Sequence, residues 1–304
     1  MKKVILFLLA SAFIAACTNK SDDLYKQGIT RLNAYDFSGA IAKFDSVILL
    51  DDKNIDAYFN RGNAKFDIDD FEGSLSDYNK AISLTLDRTV EPVVYLNRGD
   101  VYWELSKFDE ALKDYTKALD LRPDYDSAFV GRGKTYLAIG DFTNAQSDFE
   151  KAIRINQGNA SAHYALGDVM YDVEKYELAV EEYSKAIDLK STEMIYYVDR
   201  GDAYYMIERF DKAITDYTKA IEMDPNVPKS YVSRGDALDD SGKPDEAILD
   251  FNKAIALDSA YGIAYYNRGV TKKKVGDKKG ACEDFHTASE LGEENATPYL
   301  KDCK

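Results

Sequence analysis

Residues 92–125 read "PVVYLNRGDVYWELSKFDEALKDYTKALDLRPDY". The tripeptide Arg98-Gly99-Asp100 is one that adhesion ligands use, and it returns at Arg200-Gly201-Asp202 and Arg234-Gly235-Asp236. The spacing argues for a structural origin. Glycines fall at 28, 62, 99, 133, 167, 201, 235 and 269, every step being 34 except 62 to 99, which is 37. A fixed period of this size marks a solenoid built from one supersecondary unit.

With each glycine set at position 8, position 4 is mostly aromatic: Tyr58, Tyr95, Phe129, His163, Tyr197, Tyr231 and Tyr265, with Leu24 the exception. Position 20 is alanine, or Ser74. Position 24 is Phe44, Tyr78, Tyr115, Phe149, Tyr183, Tyr217, Phe251 or Phe285, and position 27 is alanine, or Val47. Positions 4, 8 and 11 share one face of a helix, and 20, 24 and 27 share one face of a second. A turn such as Ser106-Lys107-Phe108-Asp109 separates them, with Asp109 and Asp211 suited to cap the second helix. Each repeat is thus a helical hairpin that buries its apolar face only by stacking on its neighbours.

Arg98 stands at position 7, mid-helix and facing the partner helix, where an exposed adhesion loop has no place. Six repeats carry arginine there: Arg61, Arg98, Arg132, Arg200, Arg234 and Arg268. The same six carry aspartate at position 23: Asp77, Asp114, Asp148, Asp216, Asp250 and Asp284. The two repeats without the arginine (Gln27, Leu166) also lack the aspartate (Lys43, Glu182). A partly buried charge needs a partner, and a guanidinium grips a carboxylate through two hydrogen bonds. The expectation is an Arg–Asp bridge between the two helices of each of these repeats.

The pattern resembles the tetratricopeptide repeat family, and residues 92–125 meet it in full: Tyr95 at 4, Gly99 at 8, Tyr102 at 11, Ala111 at 20, Tyr115 at 24, Ala118 at 27 and Pro123 at 32. Lys65 and Lys272 at position 11, Leu24 and Arg31 in the first repeat, and three extra residues near Asp87–Glu91 depart from it. The resemblance implies an all-α fold, a right-handed superhelical solenoid of eight repeats over 22–295 with a short capping helix over 296–304. It also implies a concave groove lined by the first helix of each repeat.

The chain begins "MKKVILFLLASAFIAAC". Two lysines precede the apolar run Val4–Ala16, which is too short to span a bilayer and fits a signal peptide over 1–16. Ile14-Ala15-Ala16-Cys17 resembles the bacterial lipobox, which implies lipidation of Cys17 and a tether over 17–21. An ordinary signal peptide beside a cysteine is the alternative. Thr18 after the cysteine resembles outer-membrane rather than inner-membrane lipoproteins, and "NKSDD" resembles the surface-export signal of Bacteroidota lipoproteins. The localisation expected is the cell envelope, as an outer-membrane lipoprotein on the periplasmic face or the cell surface. Loss of Lys2 and Lys3 with the signal takes the net charge from −15 to −17, which favours basic partners and disfavours nucleic acid.

No catalytic, metal or cofactor constellation is legible. His163 occupies a packing position, His286 falls beside one, and "DIDDFEG" at 67–73 lacks the spacing of a calcium loop. Binding remains. In the geometry of the resembled family, positions 2, 5, 9 and 12 face the groove. Position 5 supplies Tyr25, Phe59, Leu96, Val130, Tyr164, Val198, Val232 and Tyr266. Position 9 supplies Asn63, Asp100, Asp168, Asp202 and Asp236. Position 12 supplies Leu32, Phe66, Trp103, Leu137, Tyr171 and Tyr205. The aspartates are expected as an exposed acidic row that raises its own pKa values and awaits a cation. Apolar steps beside acidic ones suit a basic, partly apolar protein or peptide; the alternative is that the position-5 side chains only pack between repeats. No lysine stands at position 5, which disfavours the family's carboxylate-holding groove. Two functions fit: a membrane-anchored scaffold or adaptor in an envelope complex, or a surface protein capturing exogenous peptides or glycans.

Cys282 and Cys303 remain once Cys17 carries lipid. Cys282 is at position 21 of the eighth repeat, and Cys303 continues the grid at position 8 of a ninth, incomplete one. In an oxidising compartment a disulfide between them would hold the cap down; two free thiols packed as small apolar groups are the alternative.

Overall fold

The computed structural model describes residues 20–84 and 91–303. Among these, every regular element is helical. The chain divides into two compact units, Met1–Asn156 and Gln157–Lys304.

The N-terminal unit holds four hairpins: α1 (20–33) with α2 (Phe37–Leu50), α3 (Ile55–Phe66) with α4 (Phe71–Leu84), α5 (Glu91–Glu104) with α6 (Phe108–Leu121), and α7 (Asp126–Ala138) with α8 (Phe142–Ile155). The C-terminal unit holds α9 (Ala160–Asp172) with α10 (Tyr176–Leu189), α11 (Met194–Met206) with α12 (Phe210–Met223), α13 (Pro228–Asp240) with α14 (Pro244–Leu257), and α15 (Gly262–Lys274) with α16 (Lys278–Glu290). A 3₁₀ helix, Glu294–Asp302, closes it. Consecutive helices pack on one another within each unit, and first helices also touch the next first helix, as α3 touches α5 and α13 touches α15. Residue 20, the first described, is already helical, two residues before the sequence-based boundary. Cys17 lies outside the described residues, as does most of the insertion near Asp87.

The hairpins close on one contact repeated eight times. The aromatic ring at position 24 is buried in every repeat and lies over the glycine at position 8. A Cβ on any of these glycines would come 2.6–2.8 Å from the ring. The alanines at 20 and 27 are buried, and Ser74 satisfies its hydroxyl by donating to the Gly62 carbonyl at 2.9 Å.

Each turn passes through one left-handed residue at position 15. Glycine fills it only at Gly140, Gly242 and Gly276; Tyr35, Asp69, Ser106, Glu174 and Glu208 fill it elsewhere, at a cost of about 1–2 kcal/mol each. Position 16 caps the second helix where it is acidic: Asp36, Asp70, Asp141 and Asp277 accept from the backbone N–H three residues on. Asp109 and Asp211, expected as caps, lie instead inside the first turn, and the caps there are Lys107 and Arg209, which make no side-chain cap bond. The carboxylates at 109 and 211 act on their helices through the dipole, and Asp211 also lies 3.9 Å from Lys243 Nζ.

All six Arg–Asp pairs form, each bidentate, with Nε on one carboxylate oxygen and a terminal nitrogen on the other at 2.5–2.9 Å. Each guanidinium also faces the position-4 ring at 5.4–5.8 Å. The remaining nitrogen reaches the preceding repeat at position 25: Asp45, Asn79, Thr116, Ser184, Thr218 or Asn252. One arginine therefore joins two helices of its own repeat and ties both to the repeat before. Lys65 and Lys272, departures from the family pattern, add a second cation at 2.8 Å to Asp77 and Asp284. In the fifth repeat, where Leu166 replaces the arginine, Glu182 takes His163 instead, at 2.7 Å.

Cys282 and Cys303 are bonded, with S–S 2.06 Å and Cα atoms 5.4 Å apart. The bond holds the 3₁₀ segment on α16, where Tyr299 stacks on Phe285 at 4.5 Å. Reduction is expected to cost about 2–4 kcal/mol and to raise hydrogen exchange first in 294–302. A melting temperature unchanged by reductant would show that packing alone holds this segment.

Candidate functional site

The position-5 side chains divide by size. Val130, Val198 and Val232 are buried and pack between repeats, although Val130 also lines a cleft. The larger Phe59, Leu96, Tyr164 and Tyr266 remain half-exposed. Tyr25 accepts from Asn60 Nδ2 at 3.0 Å, and Tyr164 stacks on Tyr196 at 4.6 Å while donating to Asp199.

The position-9 residues are not an exposed row. They are half-buried, and position 24 of the same repeat reaches them: Tyr78 donates to Asn63, Tyr115 to Asp100, Tyr183 to Asp168 and Tyr217 to Asp202, at 2.6–2.9 Å. Asp236, opposite Phe251, has no such hydroxyl and accepts from Asn267 Nδ2 at 2.7 Å. Burial, more than mutual repulsion, pushes the carboxyls of Asp100 and Asp202 above the usual carboxylate range. Burial, with Asp240 and Asp239 adding to it, pushes Asp236 up to about 7.

In the N-terminal unit a cleft of about 290 Å³ brings together Phe66, Leu96, Asp100 and Trp103 with Glu104, Val130 and Lys134. Gly131 shapes its wall, since a side chain there would meet the Tyr115 ring at 2.6 Å. Trp103 Nε1 is buried without a hydrogen-bond partner. The sequence pattern found the apolar members but not Lys134 or the role of Gly131, which stand at positions 9 and 6, where the other repeats carry different residues.

In the C-terminal unit two clefts of about 260 and 250 Å³ share Tyr205 and Asp236. The first also holds Tyr171, Asp202 and Ser233. The second also holds Asp239, Asp240, Tyr266, Asn267, Thr271 and Lys274. Of the residues expected in the groove, Tyr25, Leu32, Phe59, Asn63, Leu137, Tyr164, Asp168, Val198 and Val232 lie outside these three clefts. Among the described residues no group of three or more His, Cys, Asp or Glu could hold a metal ion, and no helix is long and apolar enough to cross a membrane.

Three solved structures set the comparison. The MamA protein is 29% identical over 56% of this chain and 92% of its own, with a TM-score of 0.52. A tetratricopeptide repeat protein from Parabacteroides merdae is 21% identical over 83% and 99%, with a TM-score of 0.61. YrrB, described as a TPR protein with an unusual peptide-binding site, is 21% identical over 62% and 97%, with a TM-score of 0.55. A comparison with curated proteins finds no match. Models of the tetratricopeptide repeat match residues 55–88, 92–125, 160–193, 195–227 and 216–249, and a TPR-repeat model matches 133–174 and 235–276. These stretches cover nearly all of 55–276, and the chain belongs to the tetratricopeptide repeat family.

Proposed function

We propose that this chain is a membrane-anchored scaffold that binds a basic, partly apolar protein or peptide along its first helices, within a cell-envelope complex. Its family is one of repeat scaffolds that bind peptides and proteins. The observation that carries the reading is the cleft at Trp103. Phe66, Leu96 and Trp103 offer apolar surface, and Asp100 and Glu104 offer negative charge beside it, which Lys134 offsets in part. The buried Trp103 Nε1–H lacks an acceptor, which a carbonyl of a bound chain would supply. The anchor rests on the apolar leader and Cys17. An outer-membrane address rests on Thr18 and the residues after it.

Crosslinking in intact cells tests both parts. A photoreactive residue in place of Trp103 is expected to capture one envelope protein, and the same residue in place of the exposed Leu49 is not. Cys17→Ser is expected to release the chain from the membrane fraction and abolish the capture. Equal capture from positions 49 and 103 would remove the groove from the reading. Binding of free peptides or glycans with no protein captured would favour ligand uptake over scaffolding.

A further inference from the structure

The C-terminal unit carries a polar atom that the fold leaves unused. Position 10 is buried in repeats two to eight, and in five of them it is alanine or valine: Ala64, Val101, Val169, Ala203 and Ala237. Threonine stands there twice. Thr135 settles its hydroxyl on the Gly131 carbonyl at 2.8 Å. Thr271 is 1% exposed, and its Oγ1 has no partner. A buried hydroxyl at a position that accepts valine is costly for stability alone. Thr271 lines the cleft that also holds Asp236, Asn267 and Tyr205.

The charges around that cleft are unbalanced. Lys274 Nζ lies 2.6 Å from Asp239 and 3.6 Å from Asp240, and Tyr205 donates to Asp240 at 2.5 Å. Asp236 has only the neutral amide of Asn267. A half-buried carboxylate beside two more carboxylates, whose one nearby cation, Lys274, is already bonded to those two, is completed by a second cation. The adjoining cleft adds the rings of Tyr171 and Tyr205 and the half-buried Asp202, surfaces over which an ammonium or guanidinium and its alkyl stem pack well.

We propose that the cleft between α13 and α15 is a pocket for one lysine or arginine side chain of the bound partner, with Asp236 as its counter-ion and Thr271 Oγ1 as a second acceptor. This rests on the groove reading above and names the chemistry it selects. The occupant is a peptide side chain rather than a metal ion: the second cleft, at about 250 Å³, takes an alkyl stem, and among the described residues no set of metal-ligating side chains is present.

The pocket predicts its own pH dependence. Asp236 faces Asp239 and Asp240 on its own helix, Tyr205 on α11, Tyr217 on α12, Tyr261 ahead of α15, and Lys274 and Tyr266 on α15. Of these, Asp236 is the group held near neutrality, at about 7. A bound cation favours its ionised form, so binding releases a proton and tightens as pH rises from 6 to 8.

The test uses the full chain and a library of 12-residue peptides. The best binder has each basic residue replaced in turn by norleucine, which keeps the stem and removes the charge. One such replacement is expected to weaken binding roughly tenfold or more on the wild type and less than about twofold on Asp236→Asn. Thr271→Val is expected to raise the melting temperature while weakening the same peptide several-fold, two effects of opposite sign that a packing role alone does not give. Equal norleucine costs on wild type and Asp236→Asn, or Thr271→Val binding as the wild type does, would overturn the pocket and leave the groove standing. If no library peptide binds, the groove reading falls and the pocket with it.

Discussion

Asp114→Ala is expected to lower stability by about 3–5 kcal/mol, and Arg98→Ala combined with Asp114→Ala by less. The carboxylate accepts both Nε and a terminal nitrogen of Arg98, at 2.6 and 2.7 Å. The two side chains are 7% and 17% exposed, so water cannot replace either partner fully. Removing the aspartate strands a guanidinium between α5 and α6; removing both leaves only lost packing. Arg98 keeps Asn79 Oδ1 at 2.5 Å and the Tyr95 ring at 5.4 Å, which places the single change toward the lower end of the range. A stack of repeats need not unfold in one step. The cycle is therefore best read from hydrogen exchange across α5 and α6 as well as from denaturant midpoints. Additivity of the two single changes would mean the bridge is idle.

That bridge was legible because Arg and Asp appear together six times and disappear together twice. Its third arm was not. Position 25 is Asp45, Asn79, Thr116, Ser184, Thr218 or Asn252, residues that share only an acceptor oxygen. The left-handed position 15 was hidden for the same reason, since Tyr35, Glu174 and Glu208 carry no signal of positive φ. The half-buried row at position 9 is a different case. A helical wheel shows which side Asp168 and Asp202 leave the helix, but not that the position-24 tyrosines below are long enough to reach them. Their burial follows from the close approach of two helices, which the glycine at position 8 permits. The apolar members of the cleft at Trp103 follow the repeat; Gly131 and Lys134 break it, and what breaks a repeat gives one site its individuality.

Gly133→Val is expected to cost at least about 3 kcal/mol, at the top of the range for forcing atoms into a packed core. An added Cβ would lie 2.6 Å from Phe149 Cε1 and 2.9 Å from Cδ1, well inside contact distance. Phe149 is fully buried and cannot swing away, so α7 and α8 must part. Parting them pulls on the Arg132–Asp148 bridge, whose bonds are 2.7 and 2.9 Å. Gly133→Ala carries the same clash, offset by up to about 1 kcal/mol of helix propensity, so its net cost should be smaller but of the same sign. Gly276→Ala is the control: its φ is +91°, nothing lies within 4 Å, and its cost of about 1–2 kcal/mol comes from the backbone alone. Trimming the ring separates the two mechanisms. In a Phe149→Leu background the cost of Gly133→Ala should shrink or reverse, because the smaller side chain gives the methyl room, whereas the cost of Gly276→Ala should not change. If Gly133→Ala is equally costly with and without the ring, the glycine is needed for something other than the aromatic that lies over it, and the account of how each of these hairpins closes has to be rebuilt.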